Sequence, residues 1–215
     1  MSDIEFSCAK CGSDNCKKKD KKLPPDCLSE RAQVEGFLSE SLKEYESDPE
    51  TKEIALASAA VEAEYYCRAT RAEEIVRFAK KMGYTKIGLA SCIGLIEETR
   101  LFASVLEAAD LIPLGISCKA GRVDKTEIGI PEENKIHSGG FEAMCNPVLQ
   151  AMILNDEKTD LNVIIGLCVG HDSLFTKYSE APVTTLIVKD RVLAHNPAGA
   201  LYMIKNYYKQ LLDLK

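Results

Sequence analysis

Nine cysteines fall by their spacing into two groups of four and one single residue. The first group has the spacing C-x2-C-x4-C-x10-C in a polar amino-terminal segment and comprises Cys8, Cys11, Cys16 and Cys27. This segment contains too few large apolar residues to fold by burying them. Four thiolates that bind one metal would supply the missing free energy. Zinc and an iron–sulfur cluster use the same ligands, so both stay open. Residues 1–27 are predicted to form a metal knuckle, with an unstructured tail as the alternative.

The cysteines of the second group share a position relative to predicted strands. Cys92, Cys118 and Cys168 each follow an apolar run, in TKIGLASC, DLIPLGISC and NVIIGLC. Cys145 directly precedes an Asn-Pro pair that is typical of a helix start. Because neighbouring parallel strands end at one edge about 4.8 Å apart, these thiols are predicted to share an iron–sulfur cluster or another thiophilic metal. Four separately buried cysteines are the alternative.

Polar residues near the same edge are candidates for proton transfer or ligand binding. Lys119 follows Cys118, while His171 and Asp172 begin the helix after Cys168. These three side chains are the candidate catalytic residues, although Asp172 also fits a plain helix cap and Lys119 a solvated loop. His195 precedes a second Asn-Pro pair and is interpreted as a capping or supporting residue rather than a direct ligand.

The pattern before Tyr84 is helical. Ser29 is predicted to cap a helix that runs to about Tyr45, and Asp48-Pro49 to begin another. A capping box of Thr70 and Glu73 begins a third helix. The single cysteine, Cys67, lies between helices and is interpreted as a buried structural thiol.

Alternation of strands and helices begins after Tyr84 and predicts parallel strands with helical crossovers. We expect an α/β fold, a Rossmann-like parallel sheet of about four strands flanked by helices, in a domain of residues 28–215 that begins with helices. The last strand is expected to turn back at Lys189-Asp190 into a short partner strand, and a long helix to end the chain. The polar stretch of about twenty residues after Cys118 is compatible with a mobile lid, since a loop of this length is usually either functional or disordered.

Composition excludes several classes of partner. A net charge of −6 disfavours nucleic acid, and no apolar stretch of about 18 residues predicts a membrane span. The amino terminus lacks the features of a secretory signal, so a cytoplasmic location is predicted, where cysteines serve metals or thiol chemistry rather than disulfides. A small molecule or a redox protein remains as a partner, and the oligomeric state is left open.

Several long stretches resemble a known family: EYYCRATRAEEIVRFAKKMGYTKIGLASCIGL, EAMCNP, LNVIIGLCVGHDSLF and APVTTLIVKDRVLAHNPAGALY. They are similar to a family of uncharacterised prokaryotic metal-binding proteins, known only as a domain of unknown function. The resemblance implies metal binding by cysteines without an established reaction.

Three functions are compatible with these residues. The first is redox or Lewis-acid chemistry at a second, cysteine-ligated metal or iron–sulfur site. The second is a non-enzymatic, zinc-stabilised protein that senses, stores or delivers a metal. The third, a Cys168 nucleophile activated by His171, leaves the other cysteines of the edge unexplained. The sequence does not decide whether the protein is an enzyme.

Overall fold

The computed structural model describes residues 7–25 and 27–214, and it divides the chain into two compact units, Met1–Ala60 and Val61–Lys215. The first unit contains two short 3-10 turns, Cys8–Lys10 and Asn15–Lys17, followed by helices. These helices are α1 (Leu28–Val34), α2 (Phe37–Ser47) and most of α3 (Pro49–Tyr65). Whether residues 1–27 form a separate metal knuckle stays a prediction.

Helices α1 and α2 replace the single helix predicted from Ser29 to Tyr45. The chain breaks between them at Gly36, whose φ of 84° is left-handed and ends α1. The cap of α1 is Cys27 rather than Ser29. The sequence prediction was wrong here because the apolar positions on both sides of Gly36 keep one helical period.

The starts of α3 and α4 follow the predicted caps. The Asp48 carboxylate accepts a hydrogen bond from the Glu50 backbone N–H, directly before Pro49. At α4 the capping box is complete, since Thr70 accepts from the Glu73 N–H and the Glu73 carboxylate accepts from the Thr70 N–H. Both predicted helix starts are confirmed.

The second unit is an alternating α/β unit. After the end of α3 it contains, in chain order, α4 (Arg71–Lys81), β1 (Lys86–Ser91), α5 (Ile96–Glu107), β2 (Ile112–Ser117), α6 (Pro147–Asp156), β3 (Leu161–Ile165), α7 (His171–Tyr178), β4 (Val183–Ile187) and α8 (Ala198–Tyr202). The four strands form one parallel sheet in the order β2-β1-β3-β4. The predicted α/β fold with a four-stranded parallel sheet flanked by helices is confirmed.

Each face of the sheet is covered by its own apolar cluster, because successive strand side chains point to opposite faces. One cluster joins α4 and α5 to β1 and β3, and contains Ile75, Ala79, Ile87, Leu89, Phe102, Leu106, Leu161, Val163 and Ile165. The other joins α6 and α7 to the same two strands, and contains Ala90, Ala151, Leu154, Ile164 and Phe175 together with Cys92 and Cys118. Two of the predicted site cysteines therefore belong to the α6–α7 side.

The order of the strands creates a crevice at the carboxyl ends of β1 and β3. The chain leaves β1 toward α5 on one face and leaves β3 toward α7 on the other. Two adjacent strands whose connections depart to opposite faces form the topological switch point, where open parallel sheets bind ligands. A functional site is expected between these two strand ends.

The chain after β4 departs from the prediction. Among the described residues no strand pairs with β4 on its outer side, because the Asp190 carboxylate accepts the N–H groups of Val192 and Leu193 and forms a turn. The predicted long carboxyl-terminal helix is reduced to α8 and a 3-10 turn at Lys209–Leu212. Tyr202 is 80% exposed, so this segment lacks the packed face from which helices gain most of their stability.

A polar network holds the stretch that follows β2. The Lys135 side chain is only 3% exposed and pairs with Asp124 at 2.9 Å and Glu132 at 2.7 Å. Its ammonium also donates to the Gly140 carbonyl at 2.9 Å. A buried lysine with three acceptors fixes a loop, so the structure favours a fixed segment over a mobile lid.

A second ion pair lies beside the first. Lys125 and Glu142 approach to 2.6 Å, and each side chain is 16% exposed. Glu142 also accepts the backbone N–H of Ile136 at 2.7 Å and that of His137 at 3.2 Å. Its pKa lies near 2, first because of Lys125 and then because of these amides.

No helix in the described part of the chain is long and apolar enough to cross a bilayer.

Candidate metal centre

Backbone hydrogen bonds place three cysteines side by side at the carboxyl edge. Cys92 N–H donates to the Ile165 carbonyl at 3.0 Å, and Cys118 N–H donates to the Ser91 carbonyl at 2.8 Å. These bonds continue the sheet one residue beyond β1 and β2. The Asn146 N–H then donates to the Cys118 carbonyl at 2.8 Å, which brings the residue before it, Cys145, to the same place.

The thiols of these three residues interact. The Cys118 thiol donates hydrogen bonds to the sulfurs of Cys92 and Cys145. These hydrogen bonds are the largest cause that lowers the pKa of each of the two cysteines to about 5. The same interactions, together with burial, raise the pKa of Cys118. Cys118 also accepts the Ile93 backbone N–H at 3.4 Å. The interaction therefore favours the thiolate form at the two outer sulfurs and disfavours it at Cys118.

Lysine side chains approach the two outer sulfurs. Lys189 Nζ lies 3.4 Å from the Cys92 sulfur and contributes to its lowered pKa. Lys119 contributes in the same way at Cys145, while its ammonium donates to the Ala143 carbonyl. A nearby cation favours a thiolate, which is the form that binds metals and attacks electrophiles.

Cys168 stands apart from this set. Strand β3 ends at Ile165, and two residues separate it from Cys168, so the prediction that Cys168 directly follows its strand was wrong by two residues. Its sulfur accepts a hydrogen bond from the Arg191 guanidinium at 3.1 Å, and this contact is the first cause that raises the pKa of Arg191. The charges of Cys92 and Cys145 also raise the pKa of Arg191, after the contact with Cys168.

A glycine turn displaces Cys168 from the end of the strand. Gly166 has a φ of 66°, and a Cβ at this position would come within 1.9 Å of the Leu95 side chain. The turn returns the chain to the edge at Cys168, whose carbonyl accepts the N–H groups of His171 and Asp172 at the start of α7.

The three catalytic candidates lie at this edge in different settings. His171 acts on Cys145 through its charge, and Lys119 contacts the same residue, so both adjoin the three-cysteine set. Asp172 is not the cap of α7, since the N-cap is Gly170; it lies in the first turn of the helix, where its carboxylate accepts the Ser173 backbone N–H at 2.8 Å and its charge suits the helix dipole. A catalytic role for any of them stays a prediction.

Gln150, which the sequence interpretation missed, supports the edge from below. Its side chain is fully buried, and its amide nitrogen donates to the Ser91 carbonyl at 3.1 Å and the Ile116 carbonyl at 2.6 Å. The amide oxygen is buried without a partner among the described residues. A glutamine inside the apolar helix PVLQAMILND was the available sequence signal, since buried amides need a reason.

Lys189 and Arg191 were also missed, because the sequence placed them in a hairpin turn.

Two other predictions concerned single residues. Cys67 is exposed with a φ of 54°, so its interpretation as a buried thiol was wrong. His195 accepts the Asp190 backbone N–H on Nδ1 at 3.1 Å and so caps that turn.

Within the first unit, a cavity of about 220 Å³ brings together three of the four predicted head cysteines. Its lining consists of Ser7, Cys8, Lys10, Cys11, Gly12, Pro24, Cys27 and Leu28. Cys16 lies in the next turn and does not line this cavity. Hydrogen bonds from Ser29 are the first cause that lowers the pKa of Cys27. The cavity offers a metal three thiols from two separate parts of the segment.

Among residues 7–25 and 27–214, no three His, Cys, Asp or Glu side chains are arranged as they stand to hold a metal ion. The donor chemistry at both places is nonetheless that of soft thiophilic metals.

Similarity to known proteins extends over most of the chain. Residues 27–186 match the family described as protein of unknown function, DUF1847. An uncharacterised protein of Methanocaldococcus jannaschii is 46% identical over 200 residues, which cover 93% of this chain and 99% of the relative. The chain belongs to the DUF1847 family. The matched range contains all four cysteines of the edge but only Cys27 of the amino-terminal group.

Proposed function

We propose that this protein binds a thiophilic metal or an iron–sulfur cluster through cysteines at the carboxyl edge of its sheet. The observation that carries the proposal is the meeting of the Cys92, Cys118 and Cys145 thiols beside the topological switch point. Core packing alone does not require three adjoining thiols, since valine or alanine fills the same space without a polarisable sulfur.

The surrounding cations support this proposal. Metal ligation requires deprotonated cysteines, and Lys189 and Lys119 stabilise negative charge on the two outer sulfurs. Arg191 binds the sulfur of Cys168, which is the proposed fourth ligand. A cluster with three protein ligands leaves a position for a small molecule, whereas four ligands suit electron transfer.

The amino-terminal cysteines are a second proposed site. Cys8, Cys11 and Cys27 face one cavity, and Cys16 lies one turn away, so a single metal held by four thiolates fits the segment. Zinc or an iron–sulfur cluster is the proposed occupant. A protein with zinc at both places would act instead in metal sensing, storage or delivery.

Single cysteine-to-serine variants test the edge site, because serine is nearly isosteric but a poor ligand for soft metals. Protein purified without oxygen is analysed for metal and acid-labile sulfide, and its visible absorption is recorded. At least three of the four edge variants should lose the same metal equivalent, while Cys67→Ser, the exposed control, keeps all of it. Full metal content in every edge variant would contradict the proposal.

A further inference from the structure

We infer that Cys145 and Cys118 form a dithiol couple that reduces small disulfides and closes to an intramolecular disulfide when the site holds no metal. This activity goes beyond metal binding and does not depend on it. It uses the same sulfurs in a different state, so metal occupancy and the disulfide exclude each other.

The accessible member of the pair is Cys145. Its side chain is partly exposed, whereas Cys92 and Cys118 are 7% and 2% exposed. The Lys119 ammonium donates to the carbonyl of Ala143, two residues before Cys145, and so places a cation near the sulfur that must attack. A small disulfide in the crevice therefore meets Cys145 before it meets the other two cysteines.

The second member is Cys118, which adjoins the attacking sulfur but is shielded from solvent. The hydrogen bond from Asn146 N–H to the Cys118 carbonyl, 2.8 Å long, places the two backbones next to each other. Hydrogen-bonded neighbouring backbones lie about 5 Å apart. Disulfides span Cα separations of about 4.4–6.8 Å, so the pair can close without a large movement of the chain.

The chemistry is balanced by the substrate alone. The Cys145 thiolate attacks one sulfur of the small disulfide, that S–S bond breaks, and one half leaves as a thiolate that takes a proton from solvent. Cys118 then loses its proton and attacks the Cys145 sulfur, which releases the second half as a thiol. Two electrons pass from the protein dithiol to the substrate, and the products are one protein disulfide and two small thiols.

The environment of the couple explains why Cys118 resolves the reaction. Cys145 packs against the cluster that contains Cys118, and the backbones of the two residues are hydrogen-bonded neighbours, so the second attack is intramolecular and needs no encounter. Cys92 also adjoins Cys118, but Lys189 holds its sulfur and it is largely buried. Closure with Cys92 is the competing outcome that the experiment has to separate.

The test uses metal-free, fully reduced protein and oxidised glutathione as the probe, without oxygen. After alkylation of the remaining thiols, peptide mapping by mass spectrometry identifies the disulfides. Wild-type protein should yield the Cys118–Cys145 linked peptide, whereas exposed Cys67 keeps glutathione as a stable mixed disulfide. A wild-type map with persistent glutathione on Cys145, with a Cys92–Cys118 link, or with neither product would overturn the inference.

Two variants check the order of attack. Cys118→Ser should accumulate glutathione on Cys145, because the resolving thiol is missing, and Cys145→Ser should lose both the mixed and the internal disulfide. Circular dichroism confirms that each variant is folded, and Cys118→Ala replaces Cys118→Ser if the buried hydroxyl prevents folding. Metal titration of the untreated protein is a separate readout, so a chain that binds no metal but closes the disulfide removes only the metal proposal.

Discussion

Backbone geometry, more than side-chain choice, places Cys118 between two other sulfurs. The Cys118 N–H donates to the Ser91 carbonyl, and the Cys118 carbonyl accepts from the Asn146 N–H. These two backbone hydrogen bonds fix the position from which the thiol extends. The Gln150 side chain reaches in from α6 and donates to carbonyls of both β1 and β2 beneath the thiols. The site is therefore supported by backbone hydrogen bonds and by Gln150 as well as by the cysteines themselves.

Gln150 gives the first stability prediction. Gln150→Ala removes two hydrogen bonds to the carbonyls of Ser91 and Ile116 and leaves a cavity under the edge. We expect a loss of about 1–3 kcal/mol in the free energy of unfolding, measured with a chemical denaturant. Gln210→Ala, in the exposed carboxyl-terminal turn, serves as a control and should change the free energy of unfolding by less than about 0.5 kcal/mol. Equal stability of wild type and Gln150→Ala would show that the buried amide contributes nothing.

At the scale of the elements, the strands were the easiest feature to predict. Their apolar runs end in polar or cysteine residues, and the capping residues Asp48 and Thr70 gave helix starts that the structure confirms. The split at Gly36 and the shortened end of the chain were missed, because an apolar period does not reveal whether a face finds a partner. Lys189 and Arg191 were missed since long side chains reach the site through space, without any spacing in the sequence.

Two glycines after β3, Gly166 and Gly170, distinguish the cost of a positive φ from the cost of a steric clash. Gly166→Ala introduces a Cβ that meets Leu95 at 1.9 Å, whereas Gly170 has a similar φ of 85° with nothing within 4 Å. We expect Gly170→Ala to cost about 1–3 kcal/mol for its positive φ alone, and Gly166→Ala to cost clearly more because of the added clash. Thermal unfolding of both variants measures the difference. Equal shifts would mean that Leu95 simply moves aside.

The polar loop predicts a response to acid. The pKa of Glu142 falls from its usual 4.5 to about 2 in the folded protein, so its stabilising contribution is complete above pH 4.5 and is lost as the pH falls through about 2. Protonation of Glu142 weakens the acceptor of the Ile136 and His137 amides, so the protection factors of these amides, corrected for intrinsic exchange at each pH, should fall in that window. In Glu142→Gln this fall should be absent, and an unchanged pH dependence in that variant would assign the effect to another acid.

At the scale of the whole molecule, the chain consists of two compact units with cysteines in both. The boundary between the units falls after Ala60, within α3, and not after the cysteine segment. The four-stranded sheet and both of its apolar clusters belong to the second unit. The sheet should therefore not require the amino-terminal cysteines.

Deletion of residues 1–27 tests this independence. The shortened chain should keep its α/β circular dichroism spectrum and its cooperative unfolding, and should bind one metal equivalent fewer than the full chain. The full chain with Cys67→Ser is the control for loss of a cysteine outside both proposed sites. A shortened protein that retains every metal equivalent would remove the amino-terminal site.

The segment between Cys118 and Cys145 leaves the sheet and returns to almost the same point, closed by the hydrogen bond from Asn146. Its ion pairs, Lys135 with Asp124 and Lys125 with Glu142, are internal. We therefore expect that another sequence can replace this segment while the four-stranded sheet stays folded. Replacing residues 124–142 with a short Gly-Ser linker should lower the unfolding midpoint less than Gly166→Ala does, because loop closure depends only weakly on loop length. The crevice beside it could then receive new recognition loops without a redesign of the sheet.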